Sequence, residues 1–157
     1  MTNDDHFLTR AIELAQKASE SGDGGPFGAV IVYQGKIIAE GWNRVLVSRD
    51  PTAHAEINAI RSACATIGDF HLTGCTLYTS SEPCPMCLSA AYWARIGRIV
   101  FANSRAEAAT IGFCDDELYA ELNRHFLERR IDMAHHPMPQ ALLPLENWLS
   151  KADRITY

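Results

Sequence analysis

The sequence is short of positive charge. Its 14 Lys and Arg stand against 19 Asp and Glu, a net charge of −5 with histidine neutral. A chain-wide basic footprint of the kind that neutralises nucleic-acid phosphates is therefore absent. Long apolar runs are also missing, and none approaches the roughly 20 residues that a membrane-spanning helix needs. The opening Met1-Thr2-Asn3-Asp4-Asp5 is acidic, unlike the basic and then apolar layout of a secretory signal. No repeat, low-complexity tract or charge block occurs. Cysteine is sparse and odd in number, so the five residues cannot all pair in a disulfide framework. What remains is 157 residues, 47 % apolar and 21 % charged, enough for one globular domain with a real core. The expectation is a soluble, cytoplasmic, single-domain protein with reduced thiols.

Hydrophobic periodicity divides the chain. Phe7, Leu8, Ala11, Ile12, Leu14, Ala15 and Ala18 predict an amphipathic helix over 7–18, broken by Ser21-Gly22-Asp23-Gly24-Gly25-Pro26. Residues 27–33 and 36–41 flank Gln34-Gly35 and predict a β-hairpin. Asp50-Pro51 has the form of an N-cap and first helical position, for a helix reaching about Cys64. A strand at 75–79, a helix at 84–95 and a strand at 98–102 follow. Helix and strand in alternation with short connections indicate an α/β layer architecture with some parallel pairing. Beyond this, 115–129 and 142–149 read as helical, and 131–135 as an edge strand before Pro137.

Two segments carry chemistry, and each sits where a loop enters a helix. The first is Pro51-Thr52-Ala53-His54-Ala55-Glu56 and the second is Ser81-Glu82-Pro83-Cys84-Pro85-Met86-Cys87. Taken alone, Cys84 and Cys87 could be a redox pair, half of a structural zinc site, or two buried thiols. There is no second Cys-x-x-Cys to complete a four-cysteine site. Cys64, Cys75 and Cys114 are scattered singly and read as small buried apolar residues. His-x-Glu on one helix with Pro-Cys-x-x-Cys opening the next resembles the signature of zinc nucleobase deaminases. In that pattern His54, Cys84 and Cys87 supply three zinc ligands and leave a fourth position for water. A helix N-terminus favours the thiolates the metal needs. Zinc lowers the pKa of its water, and Glu56, two residues from His54, is placed to carry protons without being a ligand.

The chain is similar to the cytidine deaminase-like superfamily, and within it to the bacterial guanine deaminases. The resemblance runs over nearly the whole length. It includes Gly24-Gly25-Pro26-Phe27-Gly28-Ala29-Val30, the two segments above, Tyr92-Trp93-Ala94-Arg95 and the terminal Tyr157. It implies a three-layer α-β-α sandwich with a mixed five-stranded sheet. It also implies one Zn2+ per subunit and a homodimer whose C-terminal segment, about 137–157, is exchanged between subunits. The implied reaction is guanine plus water giving xanthine plus ammonia, in purine salvage or nitrogen scavenging. Gly112-Phe113-Cys114-Asp115-Asp116 resembles the loop that brings an aspartate to that family's site, with Asp115 the first choice and Asp116 the second. The resemblance further implies that Asn43 and the Ala55 amide bind the base. Phe27 and Trp93 would pack on the purine, and Tyr157 would approach from a partner subunit.

Two other functions compete. A tRNA adenosine deaminase shares the zinc motifs, but folded RNA calls for basic patches, and the tail Lys151-Ala152-Asp153-Arg154 has no basic run. A zinc scaffold or redox protein has no use for Glu56. The partner expected is a small purine base, with neither nucleic acid nor membrane; guanosine or cytosine remain alternative small substrates.

Overall fold

Residues 3–157 are described by a computed structural model of the chain. Met1 and Thr2, the first of the acidic opening, lie outside the described residues. The chain divides into two compact units, one ending at Asp116 and the other spanning Glu117–Tyr157. No helix among the described residues is long and apolar enough to cross a membrane.

The first unit is built on a hairpin. Strands β1 (Gly28–Tyr33) and β2 (Lys36–Trp42) pair antiparallel from Gly28↔Trp42 to Tyr33↔Lys36. Gln34 and Gly35 turn the chain with φ of 47° and 76°, the twin positive values a tight hairpin turn requires. β3 (Cys75–Ser81) lies antiparallel to β1, and β4 (Arg98–Asn103) lies parallel to β3. The sheet is mixed, with order β2-β1-β3-β4. Among the described residues it has four strands, one fewer than expected. The stretch 131–135 forms no strand, because a strand exists only where an edge receives it, and Ile131 stands 77 % exposed.

Alternation along β1 and β3 gives the sheet two apolar faces. Val30, Val32 and Tyr78 meet Phe7 and Leu14 of helix α1 (Asn3–Glu20). Ala29, Ile31 and Leu77 point the other way, onto Ala55, Ala59, Ile60 and Ala63 of α3 (Ala55–Ile67) and Ala91 of α4 (Pro85–Trp93). Helices on both faces make the expected α-β-α layering. Each fully buried Leu or Ile in those faces contributes about 1.5–3 kcal/mol. Asp4 fastens the start of α1 to the sheet: it accepts from the Tyr78 hydroxyl at 2.6 Å and from Arg98 at 2.6 Å and 3.0 Å.

Some boundaries differ from the sequence reading. Asp50 does not cap α3. Its Oδ1 accepts from the amide and hydroxyl of Thr52 at 2.8 Å and 2.7 Å, closing a local turn, and the helix begins only at Ala55. Two short helices, α2 (Val45–Ser48) and α5 (Arg105–Ala109), were not foreseen. The 115–129 helix is shorter, α6 (Asp116–Asn123) followed by a 3-10 turn at Phe126–Glu128. In the second unit, Arg130 pairs with Glu117 at 3.0 Å and its amide donates to Glu121 at 2.8 Å. Helix α7 (Leu143–Ser150) carries Leu145, Trp148 and Leu149 exposed in the single chain.

The contact that seats α3 passes through Gly41. A Cβ there would stand 2.3 Å from the Ala55 carbonyl oxygen and 2.5 Å from the Ala59 nitrogen. Gly41→Ala should destabilise the protein by about 1–3 kcal/mol, the usual cost of overpacking. Urea unfolding measures this, and an unchanged midpoint would show that α3 is free to move away.

Candidate active site

Two helix N-termini converge on one point. His54 is the N-cap of α3, which puts Ala55 and Glu56 in its first turn. Cys84 is the N-cap of α4, with Pro85 at the first helical position and Cys87 also in the first turn. His54 Nδ1 lies 3.6 Å from Cys84 Sγ and 3.5 Å from Cys87 Sγ. The three donor atoms all lie within 4.8 Å of one another. Tetrahedral zinc, with bonds of about 2.3 Å to sulfur and about 2.0 Å to nitrogen, needs N···S separations of about 3.5 Å. The donor set fits zinc in both chemistry and spacing. Three donors leave one tetrahedral position open, the mark of a catalytic site.

The ionisable groups respond to this crowding. A hydrogen bond from Cys87, then one from His54, draws the Cys84 thiol down to about 4. Its thiolate in turn raises His54. Cys87 is held protonated by its hydrogen bond to Cys84 and by burial, so a cation binding here releases that proton. Burial pushes the Glu56 carboxyl up to about 7, and the charge of Cys84 adds to this. A carboxyl poised near neutral pH can both take and return a proton.

A cleft of about 460 Å³, open to solvent, adjoins the donors. Phe27, Asn43, His54, Glu56, Cys84 and Asp115 all line it. Asn43 is buried. Its amide donates to the Phe27 carbonyl at 2.9 Å, and its Oδ1 accepts from the Val45 amide at 3.1 Å. That bond orients the side-chain amide, whose NH2 carries two hydrogens to offer. Gly24 makes room for the oxygen end of Asn43, since a Cβ there would clash with Asn43 Oδ1. Asp115 is raised by burial and by the charge of Cys84. Asp116 turns outward, 73 % exposed at its side chain, and pairs with Arg105 at 3.5 Å. The two aspartates left open by the sequence thus part company: Asp115 lines the cleft and Asp116 does not.

The remaining expected residues fall elsewhere. Ala55 is fully buried at the start of α3, and its amide is one of the four first-turn donors without an intrahelical acceptor. Trp93 ends α4 at 65 % exposure and is not part of the cleft wall. Six residues beyond Cys87, it lies about 120° round the helix from it. Tyr157 belongs to the second unit and is 71 % exposed. Cys75 is buried as expected and Cys64 half-buried, but Cys114 is exposed in the loop before Asp115. Ser81, Glu82, Ala108 and Phe113 line the cleft without having been singled out. Ser81 and Glu82 stood within the cysteine motif, and Phe113 within the aspartate loop. Ala108 carried no signal. The Phe113 ring meets Phe27 edge-on, centroids 4.8 Å apart.

A His-Cys-Cys donor set with an open fourth position, beside a buried carboxylate on an α-β-α scaffold, defines a zinc-dependent hydrolytic deaminase. The chain belongs to the family of the cytidine and deoxycytidylate deaminase zinc-binding region, which residues 1–103 match. It is 47 % identical over 155 residues to the guanine deaminase of Bacillus subtilis (strain 168), covering 99 % of each chain. The X-ray structure of a Bacillus subtilis guanine deaminase superposes with a TM-score of 0.95, at 47 % identity over 98 % of each chain. A tRNA-specific adenosine deaminase of Aquifex aeolicus (strain VF5) is 34 % identical over 148 residues, 94 % of each.

His54→Ala should lose most of its zinc by elemental analysis and melt at a lower temperature, because a metal bound only by the native state stabilises it. Full occupancy in that variant would remove His54 from the donor set.

Proposed function

We propose that this protein hydrolyses guanine to xanthine and ammonia. The observation that carries the reading is the presence of Asp115 in the same cleft as Glu56 and two of the metal donors, His54 and Cys84. Guanine carries its exocyclic amine at C2, and an amine leaving from C2 needs an acceptor for its hydrogens and then a proton. A second carboxylate beside the first meets that need. Whole-length similarity to a guanine deaminase supports the same substrate.

Zinc held by His54, Cys84 and Cys87 supplies the Lewis acidity that makes water a nucleophile near neutral pH. Glu56 takes a proton from the attacking water and returns it to the purine ring. Its burial, and the resulting pKa of about 7, suit it to both transfers. Asp115 accepts from the exocyclic amine, takes the proton of the hydroxyl that the attack leaves on C2, and delivers it to the amine nitrogen as the C2–N bond breaks and ammonia departs. Asn43 donates its NH2 to an acceptor on the purine edge. Phe27 packs on the flat ring, and Phe113 backs it. The Ala55 amide, at a helix N-terminus, binds the base or its developing charge.

The working unit in this reading is one deaminase domain in a cytoplasmic homodimer, with residues 137–157 exchanged so that a partner subunit's Tyr157 reaches the site. The exposed apolar stripe of α7 supports this. Trp93 would meet the purine only within such an assembly. Sedimentation should give a dimer, and a monomer at full activity would exclude the exchange.

Glu56→Gln should keep its zinc and lose turnover by at least about 10²-fold. Asp115→Asn should keep its zinc and lose guanine turnover, whereas Asp116→Asn should not. Ammonia release would be followed against guanine, guanosine, adenine, cytosine, cytidine and a tRNA anticodon hairpin. Release from the hairpin in place of guanine would favour the adenosine reading.

A further inference from the structure

We infer that Arg105 is a positioning residue for Asp115, tying the loop between α5 and α6 to the cysteine loop through Glu82; this rests on the role given to Asp115 above. Glu82 stands two residues before the metal donor Cys84 and is fixed to the end of β4, its amide donating to the Asn103 carbonyl at 2.8 Å. Arg105 engages both of its carboxylate oxygens. The Arg105 backbone amide donates to Oε2 at 3.0 Å, and its Nε lies 3.1 Å from Oε1. The other arm of the guanidinium, Nη1, lies 3.5 Å from Oδ1 of Asp116. One side chain therefore spans from the residue before Pro83-Cys84 to the residue after Asp115.

The loop needs such a tie. Ile111 and Cys114 are exposed, Ala108 is the one buried residue of α5, and the edge-on contact of Phe113 with Phe27 holds the loop to the hairpin but not to the cysteine loop. Local bonds from the Gly112 and Phe113 amides to the Ala109 and Ala108 carbonyls shape the loop without fixing it to the cysteine loop. A purely structural role for Arg105, starting α5, is already filled. Ser104 and Glu107 form a reciprocal capping box there. Exposed ion pairs add little to stability. The half-buried, two-pronged grip on Glu82 acts instead on placement, and a reacting group displaced by an ångström can cost about 10²-fold in rate.

The test is steady-state kinetics on guanine with the zinc-loaded enzyme and Arg105→Ala, Arg105→Lys, Asp115→Asn and the Arg105→Ala/Asp115→Asn pair. Arg105→Ala should lose at least about tenfold in kcat/KM. The loss should divide between kcat and KM as it does for Asp115→Asn, with zinc content and melting temperature kept. Arg105→Lys should recover part, since it restores a cation beside Glu82 but not the fork, while the backbone bond to Glu82 is common to both variants. In the Asp115→Asn background, Arg105→Ala should add little, as coupled residues do. Losses that multiply in the double variant, or an unimpaired Arg105→Ala beside an impaired Asp115→Asn, overturn this inference alone. An unimpaired Asp115→Asn overturns it together with the role of Asp115. If Arg105→Ala does not fold, Glu82→Gln weakens the same grip and is held to the same outcomes.

Discussion

Everything at this site depends on two helices beginning at the same place. The N-termini of α3 and α4 meet, and the cap residue of each, His54 and Cys84, is a metal donor. A cap residue has extended backbone and a side chain free of the helix, so it can turn toward a common centre. The first-turn amides then add a positive field to a point that collects thiolates and carboxylates. The charge that would otherwise repel there is offset by backbone already in place.

The core explains why that convergence holds. Small residues dominate the face of α3 that meets the sheet: Ala55, Ala59 and Ala63 are fully buried. They allow the helix to lie close on β2, and Gly41 removes the last obstruction. Close packing has little compliance. A donor on the first turn of such a helix has little room to drift. Glu56, one residue beyond Ala55, inherits this rigidity along with the burial that raises its pKa.

Much of this was legible in the sequence. The hairpin, both central helices and β3 and β4 carry local signals strong enough to stand alone. His54, Glu56, Cys84 and Cys87 come together as the resemblance to the zinc-deaminase signature implies. What escaped depends on tertiary surroundings. Asp50-Pro51 has every local feature of a helix start, yet the Asp50 side chain is satisfied within its own turn and the helix waits for His54. The stretch 131–135 has strand-like composition but finds no edge. Helix α5 is too short to show periodicity, and its capping box is a pattern of two residues. Asp115 and Asp116 are identical to any rule based on composition. Only the direction of the chain at that point separates the one facing the cleft from the one facing Arg105.

The hairpin has one more consequence. Phe27 and Asn43 flank the last ladder pair, Gly28↔Trp42, and the bond from the Asn43 amide to the Phe27 carbonyl adds one further rung. Their backbones are therefore held at the repeat of a β-ladder, about 4.8 Å. The gauge of the cleft at this corner is set by peptide hydrogen bonding, the same in every sheet. Substituting either side chain changes what lines that corner but leaves its width alone.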